Sequence, residues 1–168
     1  MGSQLDFVFR KGDLIILLRL VMAALVGGIV GWNRFRAGKA AGIGTHALVA
    51  FGSALFVVVP IQMGSPQDQQ AFTRVIQGIA TGVGFLGAGE IFRESSHSDR
   101  IHGLTSAAAI WVTASLGVVA GCGSAVLVAA TTALIVLVVL ISPRIEHRNI
   151  DHHNLARLED EHLHQKEK

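Results

Sequence analysis

The sequence predicts an all-α, polytopic membrane protein of about five transmembrane helices with glycine-rich close packing, and three observations lead there. Hydrophobic residues make up 51% of the 168 and charged ones 15%, with a mean hydropathy of +0.51, a balance hard to keep soluble in so small a chain. Apolar runs long enough to cross a bilayer recur along the chain, parted by polar connections. Nineteen glycines beside three prolines and no tyrosine suit membrane helices better than a turn-rich β-barrel.

Residues 1–13 read as a short lead, expected on the periplasmic side, in which Leu5, Phe7, Val8 and Phe9 precede Arg10 and Lys11. Asp13 is placed to cap the first span, from Leu14 to about Trp32, which serves as its own targeting signal. Ala23, Gly27 and Gly31, spaced by four, lay a smooth ridge along one face of that span for helix contact. Arg19 lies close enough to the start to snorkel to the near interface, with a buried ion path as the alternative.

Trp32 marks an interface, and residues 33–39 (Asn-Arg-Phe-Arg-Ala-Gly-Lys) form a basic loop. The second span runs from about Thr45 to Met63, with Pro60 near its far end and Gly64, Ser65 and Pro66 as punctuation. Between Arg74 and Arg93 lies the third, which carries Gly78, Gly82, Gly84, Gly87 and Gly89. In water each glycine would cost about 1 kcal/mol against alanine, whereas in lipid it lets a neighbouring backbone approach, so this span is expected to be the one others pack against.

Residues 82–87 also match the G-x-G-x-x-G dinucleotide fingerprint. That fingerprint needs a strand before it and an acid about 20 residues on, where Ala107 stands in another apolar run, so close helix packing is the better reading. A fourth span is expected from about Leu104 to Val119 and a fifth from about Ser124 to Ser142, joined by a tight turn at Gly121-Cys122-Gly123. Residues 143–168 read as a charged tail with five histidines; Glu159 and His162 sit one turn apart, a spacing that suits a transition metal, but a solvated tail accounts for it as well.

Five spans place the termini on opposite sides. With the tail inside, ten basic residues face the cytoplasm and three face outward, which orients the N-terminus outside and the C-terminus in the cytoplasm of a bacterial inner membrane. A single cysteine excludes an intramolecular disulfide, and a net charge of +2 does not suggest nucleic acid.

The ordered motifs resemble the MgtC/SapB family of bacterial inner-membrane proteins. Carrying the resemblance are Gly27 to Arg34, then residues 41–45 (Ala-Gly-Ile-Gly-Thr), then Arg74 to Gly89 around Gly-Phe-Leu-Gly-Ala-Gly, then residues 103–108 (Gly-Leu-Thr-Ser-Ala-Ala) with Trp111. The resemblance implies a role in magnesium or other cation homeostasis, either by cation transport or by regulating other membrane proteins such as the ATP synthase. It covers the spans, residues 14–142, and is carried over for that region alone. Relatives usually have an acid where Asn33 stands, an arginine where Gly44 stands and an apolar residue where Glu90 stands.

With this topology Asn33, Arg34, Thr45, His46, Glu90, Arg93, His102 and Thr105 all fall at cytoplasmic span ends and are candidates for a shared polar mouth, although span ends are polar in any membrane protein. Glu90 stands apart, because an acid within a span is expensive and usually paired; Arg34 and Arg93 are its candidate partners. Asp68, Arg74 and Gln77 form a candidate outer group, with Thr81 continuing their stripe down the third span. No nucleophile, base and orienting acid fall into a catalytic motif, so an enzyme is not expected. No cofactor is expected beyond Mg²⁺ or another divalent cation, and the expected partners are the lipid bilayer, a second copy in a homodimer and another membrane protein.

Overall fold

The computed structural model describes residues 11–63, 69–95 and 103–141. They form α1 (Lys11–Arg36), α2 (Ile43–Met63), α3 (Gln69–Ser95), α4 (Leu104–Cys122) and α5 (Ala125–Ile141), with no strand among the described residues. The first four are long and apolar enough to cross a membrane. The fifth is shorter, and at 1.5 Å per residue its 17 residues reach about 25 Å. Residues 1–10 of the lead and the whole tail, with Asp68 and His102 of the polar groups, lie outside the described residues.

Several boundaries move from the sequence reading. Asn33 to Arg36 are helical, and Arg34 and Arg36 form a basic last turn suited to the negative end of the helix dipole. Gly38, at φ 69°, turns the chain while Lys39 N–H donates to the Arg34 carbonyl at 3.1 Å, satisfying a carbonyl that the helix end would leave open. Helix α4 continues through Gly121 to Cys122, so the turn into α5 is only Gly123 and Ser124. Gly123, at φ 91°, supplies the left-handed residue, and Ser124 Oγ accepts from Leu127 N–H at 3.4 Å.

Helix α2 is the one the others pack against. Expecting α3 in that role was wrong, as 11% of its span is buried, compared with 33% for α1 and α2 and 50% for α4. Backbone approach decides it. A Cβ on Gly27 would come within 2.5 Å of the His46 carbonyl oxygen, and one on Gly31 within 2.7 Å of the Gly42 oxygen. From the opposite side, a Cβ on Gly117 would run into the Ala50 carbonyl and one on Gly121 would lie 2.9 Å from the Ala54 oxygen. Ala50, fully buried, is therefore gripped between Gly27 of α1 and Gly117 of α4, while Gly31 and Gly121, each four residues on, meet Gly42, just ahead of α2, and the fully buried Ala54. Leu20, Val26 and Val30 of α1, Leu116 and Ala120 of α4 and Val128 of α5 complete this core.

The glycines of α3 behave differently. A Cβ at Gly78, Gly82, Gly84 or Gly89 would meet nothing within 4 Å, and only Gly87 touches a neighbour, at 3.4 Å from the Ala107 Cβ. Within the chain, α3 leans on α4 through Val83, Ile110 and Ala114. An apolar cleft of about 590 Å³ separates it from α2, lined by Leu48, Gly52, Phe56, Gly78, Gly82 and Leu86 among others.

Candidate functional site

At one end of the bundle, where α1 and α3 finish and α2 and α4 begin, polar side chains go under the surface. Arg34 is 3% exposed, His46 is fully buried, Ser106 is 1% exposed and Glu90 is 9% exposed. Each comes from a different helix. Arg34 reaches across from α1, and its Nη2 donates to Ser106 Oγ at 2.7 Å. His46 occupies the first turn of α2, where its Nδ1 lies 3.0 Å from the Gly42 carbonyl. Since a carbonyl only accepts, Nδ1 carries the proton and a neutral ring presents Nε2 as an acceptor. That Nε2 is buried without a hydrogen-bond partner, as is Glu90 Oε1, among the described residues.

Arg34 and Glu90 both act electrostatically on His46, so the three groups share one poorly solvated pocket. Burying a guanidinium costs several kcal/mol unless donors are satisfied and an opposite charge stands near. Ser106 of α4 accepts one of those donors, and Glu90 of α3 supplies the opposite charge. The cluster therefore offers two buried acceptors, an imidazole nitrogen and a carboxylate oxygen, beside a fixed positive charge. Among the described residues, no three His, Cys, Asp or Glu side chains stand together as a metal-binding group.

Of the eight residues expected at this mouth, the structure gathers Arg34, His46 and Glu90. Asn33 and Thr105 are half-buried beside them in sequence, and Thr45 is exposed. Arg93 sits in the last turns of α3, with its side chain outside the description, and His102 lies outside it altogether. Ser106 escaped the sequence reading although it lies inside the Gly103 to Trp111 motif; a short hydroxyl gives no signal until the helix opposite it is known.

Of the outer group, Asp68 lies outside the described residues. Arg74 and Gln77 are exposed on α3, where Thr81 Oγ1 donates back to the Gln77 carbonyl of its own helix at 2.9 Å. At the same end of the bundle Arg19 has a definite task. Its Nη1 donates to the Gly121 carbonyl at 3.1 Å, capping the last turn of α4, and its guanidinium fills the space beside Gly123.

The sequence profile of the MgtC family matches residues 20–148. Protein SrpB of Synechococcus elongatus is 51% identical over 113 residues, 62% of this chain and 62% of that protein. "Putative magnesium transporter YhiD" of Escherichia coli strain K12 is 42% identical over 113 residues, 64% of this chain and 51% of that protein. Protein MgtC of Brucella abortus strain 2308 is 38% identical over 128 residues, 76% of this chain and 51% of that protein. The aligned region thus spans about half to three-fifths of these relatives. No solved structure matches.

Proposed function

The chain belongs to the MgtC family, and from that premise we propose that it acts in magnesium or other cation homeostasis by regulating another membrane protein through direct contact. Its setting is the bacterial inner membrane, with the Arg34 end in the cytoplasm and the α4–α5 turn in the periplasm. The observation that carries the reading is the buried cluster of Arg34, His46, Ser106 and Glu90, which ties four helices together around a fixed positive charge. A guanidinium at the centre repels a divalent cation, and Mg²⁺ asks for near-octahedral oxygen ligands with several retained waters. This favours a latch over a conduit.

The apolar cleft between α2 and α3 and the open glycines of α3 supply a face that another helix can approach closely. A second copy of the chain and a different membrane protein both suit that face. Transport is the competing reading, favoured by the name that YhiD bears.

The test is growth at low magnesium in a strain that lacks its own member of the family, complemented by this chain. Glu90→Gln keeps the shape of the side chain and removes its charge, so complementation falls while the amount of inserted protein stays unchanged. Growth equal to that of the parent chain would remove Glu90 from the working site.

A further inference from the structure

We propose that His46 and Glu90 together form a buried proton-binding site, which takes up one proton per chain and sets how firmly the Arg34 end of α3 is held against the bundle. The starting observation is two buried acceptors without a hydrogen-bond partner. His46 is fully buried and Glu90 more than nine-tenths buried, yet His46 Nε2 and Glu90 Oε1 have no hydrogen-bond partner among the described residues. Leaving such groups unsatisfied costs free energy, and a proton bound in the cluster turns one acceptor into a donor, as an N–H on the imidazole or an O–H on the carboxyl.

The geometry restricts where the proton goes. His46 Nδ1 is already committed to the Gly42 carbonyl, so uptake on the ring uses the Nε2 lone pair and forms an imidazolium; uptake on Glu90 forms a neutral carboxylic acid. No other bond is made or broken, and the proton comes from the aqueous phase. Among the described residues, the charged groups acting on His46 are Arg34 from α1 and Glu90 from α3, while α4 contributes the neutral Ser106 hydroxyl. With Glu90 ionised and His46 neutral the carboxylate offsets Arg34, and proton uptake leaves the cluster one positive charge in excess.

Glu90 is the group through which α3 enters this cluster, and α3 is the least buried of the four long helices. Excess charge at that point acts where the fold is least reinforced. The proposal uses the same cluster as the regulatory reading but concerns the isolated protein, so its failure leaves the growth test standing.

The experiment follows the full chain in lipid bilayers across about pH 5 to 8, where an imidazole ordinarily changes charge. Nitrogen NMR of labelled histidine reads His46, assigned by difference from His46→Asn, and the infrared carbonyl band of a protonated acid reads Glu90, assigned by difference from Glu90→Gln. Asn keeps an N–H for the Gly42 carbonyl, and Gln keeps the shape of Glu, so both variants retain the local packing. The expected result is one titration in this window, with Glu90→Gln weakening proton binding at His46 about tenfold, equal to one pH unit. The result that would overturn the proposal is either no titration of His46 or Glu90 in the window, or a titration of one that is unchanged when the other is replaced.

Discussion

Arg19 and Arg34 are both arginines inside apolar helices, yet the bundle uses them differently. Arg34 is enclosed at the meeting point of four helices, whereas Arg19 is half-buried and spends its charge on the carbonyl end of α4. A cation at a helix C-terminus is worth roughly 1 kcal/mol, so Arg19→Met should lower stability by about that amount, read as a shift in denaturant-induced unfolding of the purified protein. An unchanged midpoint would mean that Arg19 only snorkels. The sequence offered Arg19 a snorkelling role or an ion path but could not name its partner, because Gly121 lies 102 residues away. Glu90 was legible for a different reason: an acid within a span stands out on cost alone, before any neighbour is known. The burial of His46 was not, since histidine at the start of a span is equally at home in water.

At the scale of helices, glycine pattern alone misled about α3 and was right about α1. Gly27 and Gly31 meet α2 as their four-residue spacing implied, and the same rule applied to Gly117 and Gly121 would have identified the matching face of α4. Gly121 was assigned to the turn because Cys122 and Gly123 follow it, which hid the pair. On α3 the glycines are more numerous, but all except Gly87 line the cleft or the exposed face, and abundance says nothing about which face a neighbour covers. A comparison of two variants separates these cases. Gly117→Ala drives a methyl into the Ala50 backbone and should cost about 1 to 3 kcal/mol, whereas Gly82→Ala meets open space and should leave the monomer at least as stable. Unfolding measured on both in detergent gives the answer, and equal losses would contradict the central place assigned to α2.

For the whole molecule, membership of the MgtC family and the four long apolar helices make this a bacterial membrane protein, and the remaining question is what it does there. Orientation is accessible through Cys122, the sole cysteine, which is exposed at the end of α4. A membrane-impermeant thiol reagent should reach it from the periplasm, and labelling from the cytoplasm alone would invert the topology proposed above. The regulatory account makes its sharpest claim about conduction. Magnesium flux into proteoliposomes containing the full chain and no other protein should not exceed that of protein-free vesicles. Saturable flux that falls when Glu90 is replaced by Gln would contradict the account and establish a cation path through the Arg34 end.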